Sequence, residues 1–207
     1  MTEDEQRRTL REALKLISSE VTRDKFMLLE YLGPIVDGAR AALNLNVEQA
    51  SRLHEMSEEE FDTHLEGAGQ SFYHLTICFE ASDSGELYSL EFSKTTCTFF
   101  DECVEPDVLI TADASTLLSL VSIDSDASPL DLLGTDLVIT GTDSSTVVEG
   151  LGFLCYPPLL RMARSGIDPS SLLSEDADSV IMAAASDLVT KIVRRWIDLQ
   201  LDSATTQ

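Results

Sequence analysis

In SFYHLTICFE, residues 71–80, apolar side chains fall at every second position: Tyr73, Leu75, Ile77 and Phe79, with His74, Thr76 and Glu80 among the intervening residues. A period of two sends alternate side chains to opposite faces of an extended chain, so this stretch reads as a half-buried strand. Upstream the period is that of a helix. The change comes at Gly67-Ala68-Gly69 and limits the chain to folds that cover a sheet with helices. After the turn SDSGE, LYSLEFS alternates again through Tyr88, Leu90 and Phe92, and TTCTFF and PDVLITAD follow. Four strands with short connections predict an antiparallel meander.

The helical segments carry their own start and stop signals. Residues 3–20 place Leu10, Ala13, Leu14 and Ile17 on one face. A second stretch from Asp24, interrupted at Gly33-Pro34, directs Phe26, Leu29, Leu32, Ile35 and Val36 inward. Asn46 with Gln49, and Ser57 with Glu60, have the spacing of helix starts. Asp113 can cap a short helix bearing Leu117, Leu118, Leu120 and Val121. In DASPLDLLGTDLVITGTD, Ser128-Pro129 opens one more short helix, Gly134 stops it, and residues 136–140 form a strand ended by Gly141. Residues 147–160 are almost wholly apolar and break at Pro157-Pro158. Residues 176–200 form a long helix with Ser174 at its start and Ile181, Leu188, Ile192, Val193 and Trp196 as its stripe.

Charge narrows the function. The 207 residues hold 37 Asp and Glu against 14 Lys and Arg, and the lysines are Lys15, Lys25, Lys94 and Lys191. Such a surface repels nucleic acid and anionic lipid head groups, and residues 71–141 hold 13 acids and the single base Lys94. Loss of lysine with a normal apolar content points to a halophilic protein whose surface is screened by salt. The N-terminal MTEDEQRR has no apolar signal-peptide core, and no apolar run is long enough for a membrane span. A soluble, cytoplasmic protein is therefore expected. In that setting Cys78, Cys97, Cys103 and Cys155, with no CxxC pair among them, read as reduced, buried thiols.

Chemistry-bearing patterns are scarce. His54, His64 and His74 have no common helical face, so no metal site is expected. There is no GxSxG, Walker or GxGxxG motif, no cofactor is implied, and no nucleophile–base pair marks an enzyme. Gly150 and Gly152 lie in an apolar helix, where they permit close packing or kink the helix beside a cavity. The surplus apolar surface of residues 147–160 has two readings. It is buried beneath the C-terminal helix, or it is a wall of a hydrophobic cavity.

The order of elements from residue 71 to about 165 resembles the sterol carrier protein family of lipid-binding domains. The residues that carry the resemblance are Asp107, Val108 and Ile110, then Leu117, Leu118, Leu120 and Val121, then Pro129, Gly134, Leu137, Ile139 and Gly141. It implies that two short helices cross the sheet and that the glycine-bracketed strand joins it, leaving an apolar tunnel between sheet and helices. The expected fold is thus α+β: a five-stranded, mostly antiparallel sheet with helices on one face, a helical N-terminal extension (residues 1–67), a lipid-binding core (68–165) and a long C-terminal helix packed on it (166–207). The resemblance makes Phe79, Tyr88, Phe92, Leu118, Val121, Ile139, Phe153 and Leu154 the candidate lipid-lining residues. The expected function is non-catalytic binding or transfer of an apolar lipid, whether isoprenoid, sterol-like or fatty-acyl. The alternative is an interaction or regulatory module with a closed core, its partner a second copy or another protein docked on the helices.

Overall fold

The computed structural model describes residues 2–45, 52, 56–94, 96–165 and 177–205. Helix α1 (Glu3–Arg23) begins at a reciprocal cap in which Thr2 and Glu5 satisfy each other's backbone N–H groups. A π-helical segment (Phe26–Leu32) runs without a gap into α2 (Gly33–Leu43), and Pro34, which has no N–H to donate, sits at the junction. The same reciprocal cap, between Ser57 and Glu60, starts α3 (Glu58–Ala68). Strands β1 (His74–Ala81), β2 (Glu86–Ser93), β3 (Thr96–Phe100) and β4 (Val108–Ala112) follow, then α4 (Ala114–Val121), α5 (Pro129–Leu132), β5 (Val138–Gly141), α6 (Ser144–Phe153), α7 (Tyr156–Arg164) and α8 (Ala177–Thr205). The helix start read at Asn46 and the Ser174 cap lie outside the described residues.

The sheet has the order β3-β2-β1-β4-β5 and is mixed, with one parallel pair, β1 and β4, among antiparallel neighbours. Only β1, β2 and β3 form the expected meander. PDVLITAD does not extend it past β3 but crosses to the far side of β1. The crossing loop is held at several points. Asp107 N–H donates to Thr76 O (3.0 Å), Thr76 N–H donates to Asp107 Oδ2 (2.8 Å), and Ser89 Oγ donates to Glu102 O (2.8 Å). The loop also carries a disulfide, Cys78–Cys103, with Cα atoms 5.9 Å apart. Reading all four cysteines as free thiols is corrected for these two. Cys78 points to the sheet face away from the helices, and the crossing loop sets Cys103 over it. Cys97 and Cys155 are free and buried.

The inner face of the sheet follows the period of two. Phe79 pairs with Tyr88 and Ile110, Ile77 with Leu90 and Val108, Leu75 with Phe92, and Ile110 with Ile139, and all of them are buried. Helices α1, α4 and α6 pack against this sheet, while α2 and α8 pack on α6 from outside. Leu10, Leu14 and Ile17 of α1 belong to the same apolar cluster as the strands. Two side chains depart from their expected positions. Phe26 is exposed because the π-helical turn rotates it outward onto Tyr31 (ring centroids 4.5 Å apart), and Tyr73 is exposed because it precedes the strand. Edge strand β3 is blunted by α1. Ser18 and Thr22 hydroxyls donate to Cys97 O (2.7 and 3.1 Å), and Cys97 N–H donates to Thr22 Oγ1 (3.0 Å).

Helix α6 reaches the sheet because it is glycine on two sides. A Cβ on Gly150 would lie 2.5 Å from Val108 Cγ1, and one on Gly152 would collide with Val36 Cγ2 of α2. Close packing is therefore the role of the EGLGF glycines. Gly152→Ala should cost about 1–3 kcal/mol through overpacking against a β-branched neighbour. Denaturant melts of Gly152→Ala and of Val36→Ala/Gly152→Ala check this: the second change should recover part of the loss, and an unperturbed Gly152→Ala would contradict the packing.

Candidate functional site

The expected lining residues do come together, but as a packed layer. Phe153 lies edge-on to Phe79 (6.0 Å between centroids) and to Phe92 (5.7 Å), and Phe92 meets Phe72 (5.9 Å). Val121 and Leu154 are also buried, and Leu118 is half-buried against the same cluster. Tyr88 stacks on Phe99, and its hydroxyl reaches Glu86 Oε2 (2.7 Å) at the rim. Burial and the neighbouring carboxylate raise that phenol, which stays a donor.

Of these residues Ile139 borders an open cavity. A space of about 430 Å³ lies where β5, α6 and α8 meet, lined by Ile139, Thr140, Gly141, Asp143, Ser144, Val147, Trp196 and Gln200. Local sequence builds it. Asp143 caps α6 by accepting from Thr146 N–H (2.8 Å), which turns the chain sharply after β5. Gly141 leaves room for Thr146 and Val147 to approach, since a Cβ there would lie 2.8 and 2.9 Å from them. Helix α8 crosses above, with Leu199 seated on Gly134, so that Trp196 roofs the groove. Its volume is within the ~300–1,000 Å³ of small-molecule sites. Trp196 was legible in the sequence only as part of a helical stripe.

A buried ionic group lies further along α6. Glu149 is the one charged residue of that helix, and its side chain is 6% exposed, 3.5 Å from Arg40. It accepts the Phe72 N–H (3.0 Å), which holds Phe72 in a left-handed conformation (φ 62°). Arg40 also meets Asp37 (3.4 Å), Ser71 Oγ (3.2 Å) and Ser145 Oγ (2.6 Å), and Asp37 Oδ1 accepts from Ser71 N–H (2.8 Å) and Oγ–H (2.7 Å). This network fixes the entry to β1. Its signal in the sequence was the lone acid in an apolar helix. Among the described residues no group of His, Cys, Asp and Glu converges as a metal site, and His64 instead meets Ala41 O (3.1 Å).

Scans of this chain against protein-family models and against curated proteins find no match. A solved structure titled "UbiJ-SCP2 Ubiquinone synthesis protein" is similar at 20% identity over 46% of this chain and 78% of that one, with a TM-score of 0.34. Among the described residues no helix is long and apolar enough to cross a membrane.

Burial outweighs Arg40 and raises the Glu149 carboxyl above its ordinary value. A carboxyl raised on folding binds its proton more tightly in the native state. Its contribution to stability therefore falls as pH rises from the unfolded-state value through the raised one. Glu149→Gln keeps an acceptor for Phe72 and removes this fall. Denaturant melts between about pH 4 and about pH 7 should show the wild type losing ground to Glu149→Gln as pH rises, with a constant difference contradicting the assignment.

Proposed function

We propose that this protein binds or carries an apolar lipid without catalysis, in the manner of a sterol carrier protein, with the β5–α6–α8 groove as the point of entry. The observation that carries the reading is that groove. It is an open space whose apolar side comes from the sheet (Ile139), from α6 (Val147) and from the C-terminal helix (Trp196), with Thr140, Asp143, Ser144 and Gln200 along its polar side. Behind it lies the continuous apolar layer that includes the Phe79, Phe92 and Phe153 rings. Burying a lipid tail there contributes about 25 cal/mol per Å² of apolar surface removed from water. A neutral isoprenoid, sterol-like or fatty-acyl chain suits walls that carry a single formal charge, Asp143.

The close packing of Phe153 between Phe79 and Phe92 favours a second reading, an interaction module whose core stays closed. A helix-docked partner or a second copy of the chain would then carry the function.

Trp196 is the only tryptophan and reports on the groove directly. Titration with a fluorescent fatty acid should give saturable binding and shift the Trp196 emission. Ser144→Phe, a change at an exposed position on the groove wall, should weaken uptake at least ten-fold without lowering the melting temperature. Wild-type protein with no saturable lipid binding, and no Trp196 response, would leave the interaction reading in place.

A further inference from the structure

A second cavity lies where the N-terminal helices meet the β2–β3 hairpin. It has a volume of about 310 Å³ and is lined by Lys25, Leu29, Glu30, Gly33, Pro34, Asp37, Gln70, Ser71, Tyr73 and Lys94. In a chain of net charge −23 with four lysines, two of the four face one cavity. Neither has an ion-pair or hydrogen-bond partner for its ammonium among the described residues, whereas Lys15 is paired with Glu12 and Lys191 with Asp187.

The acids in the wall do not cancel these lysines. Asp37 is turned to Ser71 and to Arg40, which it shares with Glu149, and neither Asp37 nor Glu30 pairs with Lys25 or Lys94 among the described residues. The floor is rigid. Ser71 is buried and tied to the Asp37–Arg40–Glu149 network. The backbone around the cavity is irregular in three separate places: the π-helical turn at Phe26–Leu32, Phe72 (φ 62°) and Lys94 (φ 54°). Left-handed residues other than glycine cost about 1–3 kcal/mol each and persist where the surroundings enforce them. Here the Phe72 N–H is held by Glu149, and the Lys94 N–H donates to Tyr73 O (2.7 Å). Both bonds position cavity walls. Leu29, Pro34 and Tyr73 supply an apolar side to the same space.

We propose that this cavity binds a small ligand bearing an oxyanion, phosphate or carboxylate, held between Lys25 and Lys94 with an apolar portion against Leu29, Pro34 and Tyr73. The ammonium groups supply charge-assisted hydrogen bonds. The site shares no lining residue with the lipid groove. Its N-terminal wall comes from Lys25, Leu29, Glu30, Pro34 and Asp37, which gives those helices a role in recognition as well as in packing.

Calorimetric titration at constant ionic strength, with inorganic phosphate and with octyl phosphate, tests the site. Both probes should saturate. Lys25→Gln/Lys94→Gln should weaken binding at least ten-fold, each single change should weaken it less, and Lys191→Gln should leave it unchanged. Because both lysines are exposed, the melting temperature should not fall, and the single variants serve if the double one does. Octyl phosphate binding more than ten-fold tighter than inorganic phosphate identifies an anionic head on an apolar body as the ligand type; equal binding identifies a free small anion. Absence of saturation with both probes, unchanged affinity in the lysine variants, or an equal loss in Lys191→Gln would overturn the proposal.

Discussion

The approach of α6 to its neighbours governs the molecule. With Gly150 against Val108 and Gly152 against Val36, the helix lies close enough for Phe153, at its last turn, to reach between Phe79 and Phe92. That contact joins the sheet to the helical layer. The middle of the helix is fixed by different means, through Glu149 and its bonds to Arg40 and Phe72. One helix therefore sets both the aromatic layer and the point where β1 begins. The β5 groove lies beside Val147 of this helix, and the lysine cavity lies above Ser71 at the entry to β1.

Much of this was legible from local pattern. The alternation from residue 71 located β1 and its inner face, because a sheet with one covered face imposes a period of two on its strands. The caps at Ser57, Asp113 and Gly134, and the break before Pro157, appear where short-range chemistry places them. Non-local geometry was not legible. The crossing of β4 to the far side of β1 depends on Asp107, Ser89 and the Cys78–Cys103 bridge, whose partners are distant in sequence. The π-helical turn that exposes Phe26 is likewise invisible to a pattern of fixed period.

The candidate site shows the same division. Phe79, Phe92 and Phe153 were identifiable as inward-facing, yet facing inward does not distinguish a ligand wall from a packed core. That difference lies in ring-to-ring distances. Ile139 and Val147 were identifiable as apolar, but only the crossing of α8 makes them the floor of a groove. Arg40 and Asp37 carried no pattern at all, since their partners Ser71, Ser145 and Glu149 come from elsewhere in the chain.

Phe153→Asp tests most directly the claim that the aromatic layer is a packed core and that the open apolar space lies at β5. The account predicts that an unpaired carboxylate at this site, where the native ring is 0% exposed, costs several kcal/mol and abolishes or sharply lowers the cooperative thermal transition. A Phe153→Asp protein that melts like the wild type while failing to take up a fluorescent fatty acid would contradict it, and would make Phe153 a wall of the ligand space.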